Sequence, residues 1–367
     1  MNKIKLLLFG LVIGTWGSVY AVISFLAVYT KRFYLTYHLR PKYAINLASK
    51  TTTEIDKKKL AIIIQGPLLL KDDFTYQTIL IYKKIFMGAK MILSTWKGEN
   101  EETISKIEKL NVNVILSDYP ITNGYGNVNF QLKSTKKGLE LSRDLDYEFS
   151  MKTRTDQRLY RPDLFQYFTS LINVFPLQKD NIQNKRLIVS SLKTCKYRLY
   201  SLSDMLMFGD TLDLLSYWSS EYYDEGIKPY FYSKNSEIPP IVHGTPIMTE
   251  IYLTLKYMER LGVKPTWTLH DWWRFCKDYF CVVDSNMIDQ FWTKYKSLSE
   301  YWFIKDYSNN RARSLQFADW IQLYCTAPSL WDNEEKPEFY NYKNGKVNGW
   351  EQNQDTLFRG YFNPKKC

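Results

Sequence analysis

Between residues 60 and 156, short apolar runs of strand length alternate with stretches of helical period, and each run ends on a polar residue. This repeat constrains the fold more than any other feature of the chain. Leu60 to Ile64 is a continuous apolar run closed by the turn Gln65-Gly66-Pro67. Met91 to Leu93 leads into Ser94-Thr95-Trp96, and Val112 to Leu116 leads into Ser117-Asp118. Thr75 to Phe86 has helical spacing. Glu101 to Leu110 places Ile104, Ile107 and Leu110 on one face. A Gly/Asn-rich loop at 123–127 precedes a third helix, Asn129 to Leu141. A fourth strand then runs through Phe149 and Met151 into Arg154-Thr155-Asp156. Strands alternating with helices predict an α/β fold with a doubly wound, mostly parallel sheet flanked by helices. The alternation of Phe149 and Met151 with Ser150 and Lys152 predicts that the fourth strand is half-buried.

Open α/β sheets bind ligands beyond the C-terminal ends of their strands. Gln65, Ser94, Thr95, Asp118 and Asp156 all fall at such ends, so they predict a nucleotide crevice. The chain has no GxGxxG and no Walker A motif, which argues against dinucleotide and P-loop chemistry. Its 49 Lys and Arg against 38 Asp and Glu give a net charge of +11, which favours an anionic partner. Zinc-finger spacing, a basic zipper and an RNP signature are all missing, and the basic residues are scattered. A membrane surface or a nucleotide-sugar diphosphate therefore fits better than nucleic acid. Five cysteines without a CxxC, and no Asn-X-Ser/Thr acceptor, favour a reducing compartment.

The N-terminal 30 residues read as a membrane anchor, because residues 6–30 are apolar over a bilayer-spanning length. More basic charge follows this stretch (Lys31, Arg32, Arg40, Lys42) than precedes it (Lys3, Lys5). The positive-inside rule then places the main domain in the cytoplasm of a bacterial cell. A Golgi-type orientation is the alternative for a eukaryotic or viral source, and a signal peptide cleaved after Val19-Tyr20-Ala21 is the competing reading. Residues 31–59 form a basic juxtamembrane linker. Residues 60–160 form a first half, 161–300 a second half, and 301–367 an aromatic-rich extension. Within the second half the pattern predicts helices at Leu164 to Val174, Thr211 to Trp218 and Met248 to Leu261. Strands are predicted at Leu187 to Ser191 and Met205 to Phe208. The pattern assigns no elements beyond residue 265.

Five motifs occur in order: Ile64-Gln65-Gly66-Pro67; Leu93-Ser94-Thr95-Trp96; Asn127-x-Asn129-Phe130-Gln131-x-x-Ser134-Thr135-x-x-Gly138-Leu139; Lys152-x-Arg154-Thr155-Asp156; and Ser203-Asp204-x-x-x-Phe208-Gly209. Together they resemble the WavE lipopolysaccharide-synthesis family of bacterial glycosyltransferases. The resemblance implies a GT-A-like fold, with 60–160 as the nucleotide-sugar-binding half and 161–300 as the acceptor-binding and catalytic half, and transfer of a sugar from a nucleotide-sugar donor to a surface glycan, with an oligosaccharide or glycolipid acceptor at a membrane. It implies donor contacts from Gln65, Gly66, Pro67, Ser94, Thr95 and Asp118, and from Asn129, Gln131 and Lys152. Arg154 and Arg158 suit the diphosphate, because a guanidinium matches phosphate geometry. Asp156 is the candidate ligand of a divalent Mn or Mg ion, with His270 or His243 as a late contact. Arg154 stands where such enzymes usually carry the first Asp of an Asp-x-Asp, so the metal motif is degenerate. Asp204 and Glu250 compete for the role of general base. A non-catalytic glycan- or nucleotide-binding component of a synthesis complex is the alternative, and a metal-dependent hydrolase a further one. The hydrolase reading would require more His and Asp ligands than the chain offers.

Overall fold

The computed structural model describes residues 40–47, 53–178, 181–196, 198–223, 249–266, 268–293 and 314–326, with Ser18, Val22 and the backbone of 342–343 and 346–347. The expected anchor at 6–30, His243 and most of the extension 301–367 lie outside the described residues, apart from those named. Among the described residues, no helix is long and apolar enough to cross a membrane. Residues 42–367 form one compact unit and residues 1–41 a second.

All four expected parallel strands form: β1 (Leu60–Gln65), β2 (Lys90–Trp96), β3 (Asn113–Ser117) and β4 (Phe149–Arg154). Between them run α1 (Phe74–Ile85), α2 (Glu101–Glu108) and α3 (Val128–Asp144). The start of α2 is fixed by Asn100, whose side chain accepts from the Thr103 N–H at 2.8 Å and so satisfies one of the orphan donors of the first turn. β1 is buried along its whole length, as a parallel strand covered on both faces must be. It pairs with β2 on one side and β4 on the other, and its register sets Gln65 beside both Ser94 and Arg154. Helix α3 lies close on β1, because a Cβ on Gly138 would stand 2.5 Å from Ile63 Cγ2.

After β4 come β5 (Gln157–Leu159), α4 (Leu164–Val174), β6 (Leu187–Ser190), β7 (Met207–Asp210) and α5 (Thr211–Trp218). α6 (Thr249–Arg260), α7 (Leu269–Tyr279), β8 (Phe280–Val283), β9 (Gln290–Trp292) and α8 (Phe317–Cys325) follow. The main sheet has the order β3-β2-β1-β4-β7-β6-β8. It is continuous across residue 160, since β4 pairs directly with β7. β7 runs antiparallel to β4 and β6, while β6 and β8 are parallel. The C-terminal ends of β1 to β4, β6 and β8 therefore share one edge with the start of β7. The strand order reverses between β1 and β4, which places a topological switch point on that edge.

One expectation is corrected here. β4 is not half-buried: Ser150 and Lys152 are as buried as Phe149 and Met151. Its polar face is covered by α3 and α5, which bring polar partners. Ser150 Oγ is 2.8 Å from Ser142 Oγ and 2.9 Å from Thr211 Oγ1. The stripe Ser150, Lys152, Arg154 is thus a satisfied polar seam leading to the sheet edge.

Candidate functional site

Arg154 ends β4, and the turn after it carries Asp156. The two side chains form a fork: Arg154 Nε donates to Asp156 Oδ1 at 2.9 Å and Nη2 to Oδ2 at 3.0 Å. The short antiparallel pair of β5 with β9 brings Trp292 opposite Gln157. From there Trp292 Nε1 donates to Asp156 Oδ2 at 2.9 Å, and its ring lies 5.7 Å from the Arg154 guanidinium. The Thr293 N–H and Oγ1 both bond the Asp156 carbonyl at 3.2 Å. Burial pushes the Asp156 carboxyl up, but the Arg154 charge and hydrogen bonds, with the Trp292 N–H, leave it below the ordinary carboxylate range.

Behind this fork sits Lys152, which is fully buried. Its Nζ donates to the Asp204 carbonyl, lies 3.5 Å from Gln131 Oε1, and stands 4.5 Å over the Trp218 ring. Gln131 Nε2 in turn donates to Asp204 Oδ2 at 2.6 Å. Lys152, Gln131 and Asp204 are thus one network drawn from β4, α3 and the β6–β7 connection. Burial pulls the Lys152 ammonium down to about 7, against the opposing pull of the Asp204 charge. Glu250, in the first turn of α6, lies within electrostatic reach of Asp204. Burial and then the Asp204 charge raise it above the ordinary glutamate range, while Lys193 and Arg198 act against that rise. Thr249 beside it donates to the Tyr125 carbonyl at 3.1 Å, which pins the start of α6 to the loop before α3.

Several expected donor contacts are held by the protein itself. Gln65 Oε1 accepts from Ser134 Oγ at 2.8 Å. Gly66 has φ +122°, and a Cβ there would stand 2.8 Å from Thr155 Oγ1, so only glycine suits the turn. Pro67 is exposed. Thr95 Oγ1 lies 3.1 Å from Glu99 Oε1, and the same oxygen accepts from the Leu68 N–H at 3.1 Å. Ser94 is buried, and its hydroxyl has no partner among the described residues. Asp118, at the end of β3, is 73% exposed and pairs with Lys97 at 3.0 Å. Nearby, Tyr119 stacks on Trp96 with ring centroids 5.1 Å apart.

Three expected roles need correction. Arg158 does not reach the crevice. It is buried on β5, donating to Thr78 Oγ1 (2.8 Å), the Phe74 carbonyl (2.9 Å), the Lys42 carbonyl (2.7 Å) and Tyr160 OH (3.2 Å). Asn129 ties two loops together: its Nδ2 donates to the Thr122 and Tyr223 carbonyls, and its Oδ1 accepts from the Tyr223 N–H at 2.7 Å. His270 is exposed at the start of α7, 5.8 Å ring to ring from Trp273. It joins no ligand cluster with Asp156, because no three His, Cys, Asp or Glu side chains group to hold an ion among the described residues.

A divalent ion fits Asp156 poorly. Both carboxylate oxygens already accept strong donors, and an ion there would face the Arg154 guanidinium at close range. A 2+ ion about 4 Å from a unit positive charge is repelled by roughly 8 kcal/mol at an effective dielectric of about 20. The residues that sequence reasoning missed are Trp292, Lys193, Arg198, Trp218 and Glu99. Trp292 lies in a stretch without a readable period, and Lys193 and Arg198 sit on an irregular connection.

Comparison with known proteins gives a family and a loose fold likeness. Residues 60–347 match the family model described as WavE lipopolysaccharide synthesis. A comparison of the sequence with curated proteins finds no match. Among solved structures, the chain is similar to a 4-diphosphocytidyl-2C-methyl-D-erythritol synthase from Anaerococcus prevotii DSM 20548. That likeness has 14% identity, covers 46% of this chain and 78% of that one, and scores a TM of 0.29. It is also similar to a cytidylyltransferase from Leptospira borgpetersenii serovar Hardjo-bovis, with 12% identity over 77% of this chain and 100% of that one, and a TM-score of 0.31. These scores are low, and the functional reading rests on the side chains of the sheet edge.

Proposed function

The chain belongs to the WavE lipopolysaccharide synthesis family, and on that premise we propose that it is a GT-A-like glycosyltransferase moving a sugar from a nucleotide-sugar donor to a growing surface glycan. The observation that carries this reading is the pairing of two carboxylates, Asp204 and Glu250, with the Arg154–Asp156 fork on the edge where the strand order reverses. Sugar transfer needs positive charge for the departing diphosphate and a base for the acceptor hydroxyl. Glu250 is the base in this reading, because its raised pKa brings it toward the working pH of a general base. Asp204 is the positioning partner: Gln131 fixes one of its oxygens, and its charge helps raise Glu250. Arg154 meets the diphosphate. Tyr119, exposed and stacked on Trp96, offers a ring face for the nucleobase. The apolar stretch at 6–30 anchors the enzyme at the bacterial inner membrane, with the catalytic unit on the cytoplasmic side.

The test is nucleotide release by the full chain from UDP-, GDP-, CMP- and ADP-sugars, with lipopolysaccharide core oligosaccharide as acceptor. One donor should turn over. Glu250→Gln should lower kcat about 10²-fold or more, with donor KM changed less than about threefold. Turnover that survives Glu250→Gln at full rate refutes the base assignment. Absence of both turnover and nucleotide binding refutes the enzyme.

A further inference from the structure

We propose that the donor diphosphate is held by fixed side-chain cations, Arg154 with Lys193 and Arg198, so that its binding needs no divalent ion; this rests on the nucleotide-sugar reading above.

The first argument is the place of Arg154. A strand-end acidic motif holds a cation between diphosphate and protein. Here the first position of the motif is itself a cation, and its fork occupies both oxygens of the second. Trp292 adds another donor to the same carboxylate, so Asp156 serves to aim the guanidinium. The bonds to Asp156 use Nε and Nη2. Nη1 has no partner among the described residues, and the side chain is 23% exposed. A guanidinium aimed in this way still presents donors in a geometry that suits phosphate oxygens.

The second argument is convergence. β6 ends on the same edge as β4, so the connection after it carries Lys193 and Arg198 to that edge. Lys193 lies within electrostatic reach of Glu250 and Asp204, and Arg198 within reach of Glu250; burial lowers the Lys193 ammonium from its ordinary value, and the two carboxylates oppose that fall. Lys193 has a left-handed backbone with φ +75°, a conformation that a lysine keeps only where its surroundings hold it. Arg154 feels the charges of Asp204 and Glu250 too. The edge thus gathers Arg154, Lys193 and Arg198 about the carboxylates of Asp156, Asp204 and Glu250. Cations fixed on the rim beside Arg154 can meet the charge of a diphosphate without an ion recruited from solution.

Calorimetry on the full chain with UDP, GDP, CDP and ADP, in EDTA and then in MnCl2, tests this. One diphosphate should bind in EDTA, and Mn²⁺ should change its Kd by less than about threefold. Arg154→Ala, Lys193→Ala and Arg198→Ala should each weaken it by about tenfold or more, and leave binding of the matching nucleoside largely unchanged. Arg154→Asp, which restores two carboxylates, should gain Mn²⁺ binding that the parent chain lacks. Melting curves confirm that each variant folds, and the Arg198 variant carries the test if the Arg154 variants do not. A diphosphate that binds only with Mn²⁺, with the effect lost in Asp156→Asn, overturns this proposal and leaves the transferase standing. No diphosphate binding in either condition overturns both.

Discussion

Lys152 gives the sharpest test of the site, because its protonation is tied to folding. It is fully buried, and its amino group meets two carbonyl-type oxygens and an aromatic face but no carboxylate oxygen directly. Burial lowers its pKa from 10.5 to about 7. Between these two values the unfolded chain binds the proton and the native chain does not, so stability rises with pH across the window from about 7 to about 10.5. Below pH 7 both states are charged and the burial penalty is fully present. One pKa unit corresponds to about 1.4 kcal/mol, and the native group is half-titrated at pH 7, so the gain from pH 7 to 9.5 is about 3 kcal/mol. The perturbation is Lys152→Met, which removes the titration and keeps an unbranched apolar stem. Urea unfolding of both proteins at the two pH values isolates the term, because other titrating groups cancel in the difference. The wild type should gain about 3 kcal/mol relative to the variant on going to pH 9.5. A difference that does not change with pH, or that moves the other way, refutes the depressed lysine and the neutral state of the seam.

Three further outcomes are expected. Arg158→Met should destabilise the fold by about 3 kcal/mol or more, since it removes a buried guanidinium that bonds Thr78 Oγ1, the Phe74 and Lys42 carbonyls and Tyr160 OH; a tenfold rise in donor KM with no loss of stability would instead make it a donor ligand. Asn129→Ala should cost about 2–3 kcal/mol in thermal unfolding by cutting the ties between Thr122 and Tyr223, and a neutral result refutes its role as a loop clamp. Gly66→Ala should cost about 1–3 kcal/mol, from its positive φ and the contact with Thr155. Adding Thr155→Ala should recover part of that cost, whereas full recovery would mean that the backbone angle carries no strain.

The first four strands were legible because each is a short apolar run with a polar stop, and a parallel sheet covered on both faces demands that pattern. Thr211 to Trp218 and Leu164 to Val174 were legible for the same reason at helical period. The seam on β4 was not. Ser150 and Lys152 look like a solvated face, and only the polar residues of α3 and α5 packed over them make burial tolerable. Arg158 looked like a phosphate ligand because a guanidinium near the end of the fourth strand suits phosphate geometry. The direction of a three-residue strand decides whether such a side chain meets the crevice or the core, and sequence spacing does not carry that direction. Trp292 and β8 went unread because aromatic residues crowd that region without a period, and β8 follows α7 with no turn residue between them.

The reversed strand β7 has a consequence for how this edge changes over time. In a wholly parallel sheet, each strand sends one loop to the ligand edge, and the return passes along the far side. Reversing one strand makes the segment from Ser190 to Met207 a handle with both feet on the same rim. One foot bears Lys193 and the other Asp204, so in the proposed transferase a single stretch of chain would address the leaving group and the base together. Residues inserted at the crown of that handle, or removed from it, can reshape what the rim admits while both feet stay anchored by the pairing of β6 and β7. New specificity can thus arise here without disturbing the strands that bear the fold.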